Sequence, residues 1–158
     1  MKAFDFQGYL TLLRELKTTL SQLTQIEREK TQAVRDDDLD GLNRCMKQEQ
    51  AFSMSLRGFE QKQQAVRAAL SLESVPLRDL AAHAPAPLQA ETARLSEALR
   101  SQYQLFHAAF EVAQNTLECN LHQIEKVLGD LGEAPRDVIG YEDSGPSLPQ
   151  NLRTDFHA

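Results

Sequence analysis

Apolar side chains recur along this chain at alternating intervals of three and four. Phe6, Tyr9, Leu13, Leu16, Leu20 and Leu23 form one such series, and Phe52, Leu56, Phe59, Val66 and Leu70 form another. An α-helix turns once in about 3.6 residues, so this spacing holds one seam toward a neighbour over many turns, as coiled coils and helical bundles require. The first helix is predicted over about residues 4–35, where Gly8 is the only weak helix former and no Pro intervenes. Ile26 lies beside its seam, Glu27 and Lys30 interrupt it, and Val34 ends it. Polar interruptions of this kind weaken packing while fixing register.

The run Asp36-Asp37-Asp38-Leu39-Asp40-Gly41 reads as a helix restart. Asp at an N-cap accepts backbone N–H groups, and acidic residues suit the positive end of a helix. A tight αα-hairpin and a second helix over about 39–72 follow, antiparallel to the first. The second seam is Leu42, Cys45, Glu49, Phe52, Leu56, Phe59, Gln63, Val66 and Leu70. Pro76, Pro85 and Pro87 then break the pattern, leaving a linker with at most a short turn of helix at Leu77–Ala82.

A third helix is predicted over about 88–131. Its main seam runs through Leu95, Leu99, Tyr103, Phe106, Phe110, Ala113, Leu117, Leu121, Ile124, Leu128 and Leu131. Leu105, Ala108, Val112 and Cys119 make a second stripe, and one packed face does not need both. Beyond Leu131, Gly and Pro alternate with polar residues. The expected architecture is therefore all-α: long antiparallel helices in a coiled-coil-like bundle over 1–131, then a flexible C-terminal tail over 132–158 that is disordered or ordered by a partner.

Charge narrows the partners. A net charge of -6 without a basic cluster opposes nucleic-acid binding, which needs a Lys/Arg surface to neutralise phosphates. No run reaches the roughly 18 uninterrupted apolar residues of a membrane span, so stable membrane insertion is not expected. The N-terminus lacks the apolar core of a secretory signal, and the expected location is cytoplasmic. Cys45 and Cys119 have neither the count nor the spacing of a disulfide scaffold and read as thiols in a reducing compartment.

Catalytic and metal chemistry find little support. Asp36-x-Asp38-x-Asp40-Gly41 imitates the start of a calcium loop, yet Lys47 stands where the bidentate Glu belongs. Helix capping accounts for the aspartates better. Cys119 and His122 are close enough to share a metal, but no second pair completes a zinc site. With no phosphate-cradling glycine loop and no presented nucleophile, neither an enzyme nor a cofactor is expected.

Three features together resemble the FlgN-like family of flagellar type III export chaperones. One is the order of elements: long helix, acidic restart, long helix, Pro-containing gap, long helix, polar tail. Another is the run from Glu49 to Gln63, EQAFSMSLRGFEQKQ, similar to the family's second helix, although family members often carry Lys where Glu49 stands. The third is Tyr141-Glu142-Asp143-Ser144-Gly145, matching the Tyr-x-x-x-Gly that opens the family's tail. The resemblance implies a cytoplasmic chaperone that binds flagellar hook-associated proteins, which form the hook-filament junction, and delivers them to the cytoplasmic domain of the export gate. It implies gate docking for Tyr141.

A client helix would need apolar anchors at helical spacing. Phe106, Phe110, Leu117, Leu121, Ile124 and Leu128 on the third helix are the expected client-binding residues. The same residues could instead close an intramolecular seam or a homodimer. Two further readings stay open: a structural coiled-coil adaptor or oligomerisation module, and a general prefoldin-like holdase.

Overall fold

The computed structural model describes residues 2–132, with side chains from Phe6 onward. Helix α1 spans Lys2–Arg35, α2 spans Leu39–Ala69 and α3 spans Gln89–Asp130; two 3₁₀ segments, Leu77–His83 and Ala86–Leu88, lie between α2 and α3. No strand occurs among the described residues. The expected tail lies outside them beyond Gly132.

Helix α1 is the centre of the bundle. It packs against both α2 and α3, and the two outer helices scarcely meet. Two-sided packing explains why Leu10 and Leu12 are buried as well as the seam residues Phe6, Tyr9, Leu13, Leu16, Leu20 and Leu23. Burying a Leu or Phe side chain contributes about 1.5–3 kcal/mol, so this doubly covered helix supplies much of the hydrophobic stabilisation.

The turn between α1 and α2 is built by three residues. Asp37 takes a left-handed backbone conformation with φ of 55°. Asp38 caps α2, its Oδ1 accepting a hydrogen bond from the Gly41 N–H at 2.9 Å. A Cβ on Gly41 would lie 2.2 Å from Asp38 Oδ2, so a larger residue there would displace the capping carboxylate. Asp37 and Asp38 thus serve the expected helix restart.

Helix α2 ends at Ala69, three residues before the predicted boundary. Ser71 turns left-handed with φ of 58°. The Arg67 guanidinium donates to the carbonyls of Leu72, at 2.9 Å, and of Val75, tying the departing chain to the last turn of α2. The segment that follows does more than link helices. Leu72, Val75, Leu80 and Ala84 belong to the hydrophobic core, and the longer 3₁₀ segment packs on α3. The prolines disguise this contribution because they remove helical periodicity without preventing burial.

Candidate functional site

Two cross-links fix how α3 lies on α1. Arg14 pairs with Glu91, and Gln102 Nε2 donates to Thr24 Oγ1 at 3.2 Å. The partners rise together along both helices, so α1 and α3 run parallel. Extending that register sets the end of α1, Arg35, level with about Ala113 of α3. Gln114–Asp130, about 17 residues and roughly 25 Å of helix, therefore extends past the end of α1.

The apolar seam of α3 ignores this boundary. Leu95, Leu99, Phe106 and Ala113 are buried at 8%, 1%, 2% and 0% exposure, and Tyr103 and Phe110 pack on the core. At 100° per residue the same seam continues through Leu117, Leu121, Ile124, Leu128 and Leu131. None of these five is buried, and Ile124 and Leu131 are 46% and 70% exposed; neighbouring Val127 is 56% exposed. The result is an amphipathic helix end whose apolar stripe has outrun the helix that covers its first half.

The six residues expected to bind a client thus divide. Phe106 is enclosed in the bundle, and Phe110, with its ring centroid 6.0 Å from that of Phe106, packs beside it. Leu117, Leu121, Ile124 and Leu128 form the accessible stripe. Val127 and Leu131 join it, the first because it lies beside the seam near the helix end. The second stripe faces solvent, with Leu105 at 50% and Val112 at 48% exposure and Cys119 also exposed. Tyr141, expected to dock at the export gate, lies outside the described residues.

A second arrangement was only half visible in the sequence. Glu27, Lys30 and Glu49 were recognisable as polar breaks in two seams, and the α1–α2 pairing brings them together. Lys30 Nζ lies 2.8 Å from Glu49 Oε2 and 3.4 Å from Glu27 Oε2, and Lys30 and Glu27 are almost completely buried. Neither Glu27 oxygen accepts a hydrogen bond. Burial first, and then the neighbouring Glu49 carboxylate, push the Glu27 carboxyl up to about 9 against the opposing pull of Lys30. One cation faces one carboxylate, and the protonated Glu27 leaves the cluster charge-balanced. Glu49 is the acidic partner of Lys30 across the α1–α2 interface.

Among the described residues the metal-like features do not assemble into a site. No group of three His, Cys, Asp or Glu side chains among the described residues is placed to hold a metal ion. Burial pushes the Cys45 thiol up, away from the thiolate form a nucleophile needs. No described helix is long and apolar enough to cross a membrane.

A family model described as FlgN protein matches residues 1–147. No curated protein and no solved structure matches the chain.

Proposed function

This chain belongs to the FlgN family of flagellar export chaperones, and from that premise we propose that it binds hook-associated proteins of the hook-filament junction in the cytoplasm and delivers them to the flagellar type III export gate. The observation that supports this reading is the continuation of one apolar seam past the end of its intramolecular partner. A chaperone for an amphipathic helix needs anchors three and four residues apart on a rigid support, and Leu117, Leu121, Ile124 and Leu128, at i, i+4, i+7 and i+11, supply that alternation on an uninterrupted helix. Phe106 and Phe110 support the base of the stripe from inside the bundle. A client helix laid along α3 would continue, outside the bundle, the packing that α1 provides within it.

Tyr141 is proposed as the contact with the cytoplasmic domain of the export gate. In sequence it follows α3, so gate docking and client capture are assigned to different segments of the chain.

Co-purification with a hook-associated protein tests the proposal directly. Replacing Leu117 and Ile124 together by Ala is expected to weaken client binding at least tenfold, the loss of roughly 1.4 kcal/mol or more of apolar contact, with the helical circular dichroism unchanged. A folded double variant that still binds its client at full strength rules the stripe out. Tyr141→Ala should weaken association with the export gate domain and leave client binding intact; retention of gate binding removes Tyr141 from that role.

A further inference from the structure

The stripe on α3 has two unlike edges. Viewed down the helix, Glu118 and Glu125 lie about 80–100° to one side of its centre line, and Glu111 continues the same edge toward the bundle. Their seven-residue spacing keeps them aligned along the stripe, as charged residues flank a coiled-coil seam. The opposite edge is carried by Asn120 and Val127 and has no charge. Glu111 lies 3.3 Å from His107 Nε2 and Glu118 accepts a hydrogen bond from Gln114 Nε2 at 3.4 Å, but neither Glu118 nor Glu125 is in an ion pair among the described residues. Lys126, the nearby cation, is on the far side of the helix.

We infer that the occupant of this stripe is an amphipathic helix of a partner protein that carries Lys or Arg along one flank at about seven-residue intervals, set against Glu118 and Glu125. This rests on the docking reading above and adds to it the charge of the partner and the edge it approaches. A second copy of the chain fits poorly. Antiparallel pairing of two such faces would bring the acidic edges together, and parallel pairing would set each acidic edge against an uncharged one. The net charge of -6 adds general repulsion between copies. A basic flank meets the acidic edge and leaves the neutral edge for uncharged residues, which also fixes which way round the partner helix is rotated.

The test uses the full chain and two synthetic amphipathic helical peptides of matched length. Their apolar seams are identical, and one carries Lys and the other Glu on the same flank. The Lys peptide is expected to bind about fivefold to tenfold more tightly at low salt, with the advantage shrinking as salt screens exposed charges. Glu118→Lys with Glu125→Lys should reverse the preference. Leu117→Ser with Ile124→Ser should abolish binding of both peptides.

Equal affinity of the two peptides at low salt, with both lost in the Ser variant, overturns the charge inference and leaves the docking reading standing. Binding of neither peptide, or undiminished binding of both to the Ser variant, removes the docking reading and this inference together. A dimer of the chain alone that the Ser variant disperses would assign the stripe to a second copy and also overturn the inference.

Discussion

The first and last parts of α3 differ in their surroundings far more than in their sequence pattern. Both carry apolar residues three and four apart, and no proline or cap divides them. Yet Leu99, Phe106 and Ala113 are sealed against the bundle, while Ile124 and Leu131 stand in contact with solvent. The difference comes from the other helix: α1 has 34 residues and α3 has 42, and α3 starts level with about Leu12, roughly a third of the way along α1. A seam shows that a helix wants a partner; the relative lengths and register decide how much of that partner is in the same chain. Here the chain covers the first half of the stripe and leaves the second half partly or largely exposed.

Leucine-to-alanine replacement on the two sides of that boundary gives the largest contrast. Leu20→Ala, at a fully buried position of α1, should cost about 2–5 kcal/mol by removing transferred apolar surface and leaving a cavity. Ile124→Ala should cost less than about 1 kcal/mol, because its side chain is already nearly half exposed and helix propensity slightly favours Ala. Urea unfolding monitored by circular dichroism measures both. Equal losses would show that the distal stripe is packed in solution, and the comparison would fail.

The polar cluster closes the packed region near the hairpin. Removing its cation by Lys30→Met leaves two facing carboxyl groups in buried surroundings and should cost about 3 kcal/mol. Making all three positions apolar, by adding Glu27→Leu and Glu49→Leu, should recover most of that loss, since a buried ion pair replaced by well-packed hydrocarbon is often neutral or better. The same urea titration reads the effect. If Lys30→Met alone is silent, the cluster does not hold α1 to α2.

The cluster also predicts a direction for pH. Glu27 is raised in the fold to about 9 from 4.5, so the native state keeps a proton that the unfolded chain releases. Its contribution is therefore fully present below about pH 4.5 and is lost as pH rises toward 9, at on the order of 1 kcal/mol per unit within that window. Glu27→Gln holds the uncharged shape at every pH and should remove this part of the slope. Unfolding free energies at about pH 6 and about pH 8 compare the two proteins, and identical slopes would show that Glu27 is ionised in the fold.

Helix content was legible because it depends on local spacing and capping. The ends of α1 and α2 at the hairpin follow from Asp38 and Gly41, two residues whose side-chain chemistry acts within three positions. What escaped depends on which elements meet. Leu10 and Leu12 fall outside a single seam and are buried because α1 is covered on two sides. The core role of Leu80 is hidden in a proline-rich stretch without helical periodicity. Glu27, Lys30 and Glu49 read as separate interruptions until the antiparallel register joins them. On α3, composition shows the whole amphipathic stripe, and only the register with α1 shows where coverage stops.

The smallest expected effect separates a specific stripe from apolar surface in general. Leu105 and Val112 are as exposed as Ile124 but belong to the other face of α3. Replacing both by Ser should change stability by no more than about 0.5 kcal/mol, as for ordinary surface substitutions, and leave client binding within twofold of the parent. A holdase that captures unfolded chains by exposed hydrocarbon would lose affinity from either face in proportion to area removed. A helix-docking chaperone is sensitive only to the seam that aligns with its client's anchors. Loss of client binding in the Leu105/Val112 variant equal to that in the Leu117/Ile124 variant would therefore favour the holdase and erase the distinction between the two faces.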